Sequence, residues 1–188
     1  IVNPIQGLAM SIGENGGTTA ADLGIRSMSA TTTLAELNNG KGVATLTTGP
    51  EFQITRTDGT GFNVDIDAAT TVQDVINAIN TAWVLIAAFL VFGMQVGFVM
   101  LEAGFARSRE SINILVEGIV DTCICGVTFW AWGFAFMFEP GNGFIGLSGF
   151  GLQGLAPTYG TTGVPLLAFW VFQFAFADTT STITSGAM

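Results

Sequence analysis

Residues 82–101 read AWVLIAAFLVFGMQVGFVML, twenty positions in which Gln95 is the one strongly polar side chain. About twenty apolar residues in helical form cross the hydrocarbon core of a bilayer. A buried strand needs only four to eight residues and a water-soluble helix needs a polar face, so this stretch sets the fold class. Two more apolar stretches follow. The second, 112–138, carries Glu117 and Asp121 near its start and is interrupted by Gly118, Gly126 and Gly133. The third, 164–188, opens with VPLLAFWVFQFAFA and continues as DTTSTITSGAM. Its second half is too polar for lipid contact and suits a helix–helix contact or a pore wall, where small residues permit close approach. Between the last two lies a glycine-rich loop, 139–163, with no periodicity.

Across 188 residues, 49% are apolar, only 10% are charged, and the mean hydropathy is +0.58. A typical soluble domain carries about 25% charged residues. The deficit is concentrated after residue 80, where the basic residues are Arg107 and Arg109 alone. Both sit in the short link between the first two spans. The bias of basic residues toward the cytoplasmic side puts that link inside, and residues 1–80 and the 139–163 loop outside. The formal charge is −9, with 5 Lys+Arg against 14 Asp+Glu, which excludes a phosphate-neutralising nucleic-acid binder. There is no histidine. That removes His-based acid–base catalysis and the commonest transition-metal ligand. No nucleophile–base pair, phosphate loop or metal cluster can be assembled, so no enzyme and no cofactor are expected. Cys123 and Cys125, two apart on a helix, point about 200° from each other and read as packing residues.

Residues 1–80 have a different character: Gly- and Thr-rich, with Phe52 and Phe62 as their only phenylalanines. A short helical turn is expected near TTTLAEL (31–37), stopped by Asn38-Asn39-Gly40, and a strand near 43–47. EFQITRT and GFNVDID alternate, placing Phe52 and Ile54 with Phe62, Val64 and Ile66, and Asp58-Gly59 between them is a hairpin signal. Thr70 or Thr71 then caps a helix, with Asp74 in its first turn and an apolar stripe Val72, Val75, Ile76, Ile79. The acids Asp58, Asp65, Asp67 and Asp74 lack the spacing of a calcium loop and read as solvated side chains.

The segments ADLGI (21–25), TLAELNNGKGV (33–43), FQITRTDGTGFNVDID (52–67) and TTVQDVINAIN (70–80) resemble the hook "IN" module of flagellin and flagellar hook-associated proteins. That resemblance implies a non-catalytic surface module, and carries the alternative that the chain is a structural filament-associated protein at the flagellum or cell surface with a hydrophobic anchor.

Residues 81–188 resemble the N-terminal helices of the ammonium transporter/Rhesus family, on FVMLEAGFAR (98–107), NIL (113–115) and VFQFAFADTTSTITSGAM (171–188). The family folds as eleven helices in a trimer with one pore per subunit, so this chain would supply about three of them. By resemblance, Phe172 and Gln173 match the family's outer vestibule and Phe176 its aromatic gate. Rings attract a cation such as ammonium by about 0.5–2 kcal/mol. On periodicity alone these rings, with Phe169 and Phe174, equally suit core or lipid contact. Asp178 departs from the family, which carries a small residue there, and the two pore histidines are absent.

Glu117 and Asp121 share a helix face at i, i+4, and with Asp178 are the candidate intramembrane acids; the first two equally suit an interfacial position. Glu102 reads as an ion-pair partner of Arg107 or Arg109. The expected architecture is a membrane α-helical protein, with three transmembrane helices at 82–105, 112–138 and 164–188 as a partial ammonium-transporter fold, preceded by a small α+β hairpin–helix module in residues 1–80. The expected function is ammonium/ammonia transport in the cell membrane, multi-pass, by a family fragment not competent alone. The abrupt junction at 80 also fits a fusion or truncated product.

Overall fold

The computed structural model describes residues 17, 19, 28–44, 49–55, 57 and 59–185. The ADLGI segment, most of the strand expected at 43–47, Arg56, Asp58 and residues 186–188 lie outside the described residues. The chain divides into two units, Ile1–Ile79 and Asn80–Met188.

In the first unit, β1 (Phe52–Thr55) and β2 (Gly61–Val64) pair antiparallel, in the register Phe52↔Val64 and Ile54↔Phe62 on one face and Gln53↔Asn63 on the other. The alternation read from the sequence is therefore the observed one. Gly59 (φ +84°) lies in the connection, in a left-handed conformation that costs glycine little. Val64 and Ile66 are buried, and Gln53 donates to Asn63 across the exposed face at 3.1 Å. The Glu51 carboxylate accepts the Ile66 N–H at 2.7 Å, just past the end of β2. A 3₁₀ turn at Leu34–Glu36 leads into α1 (Leu37–Gly40), where Asn38 and Gly40 take positive φ at the expected stop.

The long helix α2 (Val72–Phe105) starts on a side-chain cap. The Asp74 carboxylate accepts the Thr70 and Thr71 N–H groups at 3.0 and 2.9 Å, while the Asp74 N–H donates to the Thr71 hydroxyl at 3.3 Å. This is a reciprocal capping box, which satisfies donors that the helix itself cannot. The amides of Val72 and Gln73 donate to the carbonyls of Thr32 and Ala30. The sequence places a capped helix over 71–80 and a span over 82–105, and allows one continuous helix from 71 to 103. They are one element because residues 72–92 contain neither glycine nor proline to break it.

α3 runs Ser111–Phe138 and α4 runs Leu166–Ser185; with α2 they are, among the described residues, the three helices long and apolar enough to cross a membrane. Large apolar side chains remain exposed along them, among them Phe89, Leu90, Met100, Ile119 and Leu167. In lipid an apolar exterior is stable, and the helical backbone satisfies its own polar groups. Gly118 is buried on α3 against Val99 of α2, and a Cβ there would lie 2.5 Å from Val99 Cγ2. α3 changes from α to π geometry at Phe129–Gly133 and returns to α at Phe134–Phe138. Sequence reading gives no sign of that turn beyond Gly133.

The 139–165 connection folds back on the helices. Gly146 donates to the Phe136 carbonyl at 2.9 Å, and the Ala135 carbonyl occupies the space a Cβ there would need. Tyr159 stacks on Phe169 of α4 with ring centroids 3.9 Å apart, and Phe134, fully buried, meets Phe129, Phe138, Tyr159 and Phe169. This aromatic cluster joins the loop to α3 and α4.

Candidate functional site: an aromatic pair and a polar network on opposite faces of one helix

α4 carries two sets of candidate side chains. Phe172 and Phe176, four apart, meet edge to face with centroids 5.0 Å apart, and Phe176 is 45% exposed. Gln173, next in the chain to Phe172, is half-buried. Phe169 and Phe174 are used differently. Phe169 belongs to the aromatic cluster, and Phe174 stacks on Trp170 (5.5 Å) and meets Phe92 of α2 (5.6 Å). A Cβ on Gly126 of α3 would lie 3.4 Å from the Phe174 ring. The structure thus separates four phenylalanines that periodicity leaves equivalent: Phe169 and Phe174 pack against the loop and α2, while the half-buried Phe172 meets Phe176, the one of the four that is exposed.

About 200° around the helix from Phe176, Asp178 heads the second set. Asp178 is fully buried and accepts a hydrogen bond from Thr122 of α3 at 3.2 Å. About one turn later, Ser181 and Thr182 donate to the two carboxylate oxygens of Asp121 at 2.5 and 2.9 Å. Gln95 of α2 donates its amide to the Thr182 hydroxyl at 2.5 Å. Residues 178, 181 and 182 share a face at i, i+3 and i+4, which is why one helix can reach both neighbours. Gln95 and Thr182 are 6% and 1% exposed. The network thus links all three membrane helices through side chains alone.

The candidate acids part company here. Asp121 joins the Gln95–Thr182 network and Asp178 bonds separately to Thr122; Glu117, although four residues from Asp121, stays exposed and lines a cleft of about 740 Å³ with Glu102, Phe98, Leu101, Phe105 and Ile183. Glu102 forms no ion pair with Arg107 or Arg109 among the described residues, contrary to the sequence expectation. Gln95 is the residue that sequence reasoning passes over. Its signal was present, as the lone strongly polar side chain in twenty. Cys123 is exposed and Cys125 half-buried, both as free thiols.

In the first unit, the carboxylates of Glu51, Asp65 and Asp67 lie within 4.8 Å of one another. A hydrogen bond with Glu51, then desolvation and the charges of Glu51 and Asp65, raise the Asp67 carboxyl above its usual range.

Comparison with known proteins bears on residues 82–188, which match the model of the Ammonium Transporter Family. Ammonium transporter 1 member 3 of Solanum lycopersicum is 37% identical over 115 residues, covering 61% of this chain and 24% of the relative. Ammonium transporter Amt2 of Archaeoglobus fulgidus is 37% identical over 111 residues, covering 58% of this chain and 23% of its own. Among solved structures, a Sensor Amt Protein superposes with a TM-score of 0.55 at 38% identity, over 59% of this chain and 27% of that one. The chain therefore spans about a quarter of the length of these relatives. With three apolar helices, a partial transporter fold and a family match across more than half of its residues, the chain belongs to the Ammonium Transporter Family.

Proposed function

We propose that the chain supplies the first three membrane helices of an ammonium/ammonia carrier, with Phe172, Gln173 and Phe176 as its outer recognition elements. The observation that carries this is the edge-to-face pair Phe172–Phe176 on α4 inside the matched region, with Phe176 exposed while Phe169 and Phe174 pack against the loop and α2. A half-exposed ring attracts a small cation by about 1–2 kcal/mol, which shifts occupancy roughly five- to thirtyfold. It does not carry charge through hydrocarbon; that needs a closed wall of helices. Three helices with an apolar exterior do not enclose such a path, so the chain alone is not competent.

The membrane placement follows the arginine bias. Arg107 and Arg109 lie on the inner side, and the hairpin–helix module and the 139–163 loop lie outside. The module in residues 1–80, with its DG hairpin and capped helix, serves as a non-catalytic surface element of the hook "IN" type. By family likeness the assembled carrier is a homotrimer. We set aside the structural flagellar reading, because the matched residues 82–188 are those of a transporter family.

The test is uptake. Residues 1–188 reconstituted alone should give no ammonium-dependent uptake above empty vesicles. Fused in register to the later helices of a relative, they should restore it, and Phe176→Ala should change its rate or selectivity. Saturable uptake by the isolated chain, or a restored carrier indifferent to Phe176→Ala, refutes the proposal.

A further inference from the structure

The buried polar groups between the helices fall into two sets, Gln95–Thr182–Asp121–Ser181 and Thr122–Asp178, and both are incomplete in one direction only. Asp121 has both carboxylate oxygens engaged, by Ser181 and Thr182. Asp178 has one oxygen on Thr122 and the other, Oδ1, buried without a hydrogen-bond partner. Gln95 uses its amide nitrogen, and its Oε1 is likewise buried without a partner. Both unpartnered atoms are acceptors. An anion or another acceptor cannot complete them; a cation or a hydrogen-donating species can. No basic side chain of this region is at hand, since its two arginines are exposed in the link between α2 and α3. A buried carboxylate without a counter-charge is strongly unfavourable.

We propose that the face of α4 formed by Asp178 and Thr182, with Thr122 of α3 and Gln95 of α2, is a binding site for one small monovalent cation, distinct from the Phe172–Phe176 pair. The donor set is all oxygen: a carboxylate, an amide carbonyl and hydroxyls. Hard oxygen donors select alkali-type cations over transition metals, and the same set accepts the N–H groups of ammonium. Asp121 has both oxygens occupied by hydroxyl donors, which leaves Asp178 Oδ1 and Gln95 Oε1 as the open acceptors, and a single open carboxylate suits a singly charged ion. The site lies about 200° round α4 from Phe176, so it does not rest on the transport reading.

The experiment follows thermal unfolding of the full 188-residue chain in detergent, at constant ionic strength, in NaCl, KCl, NH4Cl or choline chloride. A bound cation should raise the midpoint by about 3–6 °C for each tenfold rise in its free concentration above Kd. Choline, too large for a buried site, should not. Asp178→Asn keeps an acceptor for Thr122 and removes the charge, so it should abolish the dependence, whereas Glu139→Gln should retain it. Equilibrium binding of radioactive sodium, rubidium or methylammonium to the unaltered chain tests the site even if Asp178→Asn does not fold; about one cation per chain is expected. Whichever of the three saturates identifies the ion. Equal midpoints in all four salts with no bound cation, or binding that survives Asp178→Asn, overturns the proposal; the first result would mean that a proton neutralises Asp178.

Discussion

Replacing Thr182 by valine keeps the side-chain shape and removes one hydroxyl, which makes it the sharpest probe of the helix network. That hydroxyl accepts from Gln95 of α2 at 2.5 Å and donates to Asp121 of α3 at 2.9 Å. Its loss leaves the Gln95 amide and one Asp121 oxygen without their partners in the network. In a water-soluble core, each such group would cost about 1–3 kcal/mol. In a bilayer the separated helices find other partners, and interhelical hydrogen bonds average about 0.6 kcal/mol with a maximum near 1.7. The membrane figures govern here, so two bonds give an expected loss of about 1–3 kcal/mol. Titrating the chain in mixed micelles with sodium dodecyl sulfate, with helicity followed by circular dichroism, measures it. Thr182→Ser, which keeps the hydroxyl, should lose less than Thr182→Val. A double-mutant cycle with Gln95→Leu isolates the shared bond and should show a coupling of at least about 0.5 kcal/mol. Losses that add to within about 0.3 kcal/mol, or a valine variant as stable as the original, would show that the hydroxyl is not the node argued here.

Gly118→Ala should destabilise the α2–α3 contact by about 1–3 kcal/mol, because its Cβ would meet Val99 Cγ2 at 2.5 Å, and Val99→Ala in the same chain should recover much of that in the same titration. Phe174→Ala should cost about 2–4 kcal/mol of stability, since its ring meets Phe92 and Trp170, whereas Phe176→Ala should cost under about 1 kcal/mol and act on substrate selection; equal stability losses would contradict the division of faces. Asp67 should titrate above 3.8 in a carboxyl-carbon NMR titration of the full chain. Because the folded value is raised, its contribution to stability is full below pH 3.8 and falls as pH rises through that midpoint, and Asp67→Asn should remove the fall; a midpoint at or below 3.8 counts against the cluster.

The membrane spans were legible because the bilayer imposes a length and an apolar content that no local packing detail can override. The hairpin was legible for a similar reason: alternation in 52–55 and 61–64 fixes which residues share a face. What sequence reading could not reach was rotation. Glu117 and Asp121 share a face of α3, yet only Asp121 meets Ser181 and Thr182, and that depends on where α4 lies along and around α3. The four phenylalanines of α4 likewise sort into those that meet other elements, Phe169 and Phe174, and the Phe172–Phe176 pair only once the positions of Phe92 and Tyr159 are known. The junction at 80 read as a boundary from composition, although the helix runs through it, because polarity changes there and backbone propensity does not.

The wide turn of α3 at Phe129–Gly133 gives the helix an uneven tolerance to changes in length. A π turn accommodates one extra residue while leaving the flanking α segments in phase. Upstream, Asp121 and Thr122 stay directed at α4; downstream, Phe134 and Phe138 stay in the aromatic cluster. Deleting Ala131 would convert the wide turn to ordinary α geometry and leave both working faces where they are. Deleting one residue between Thr122 and Thr128 would instead rotate one face against the other by about 100° and pull apart either the carboxylate contacts or the ring contacts. The helix therefore has a single interval where its residue count is adjustable, placed between the two sets of contacts that must keep their relative angle.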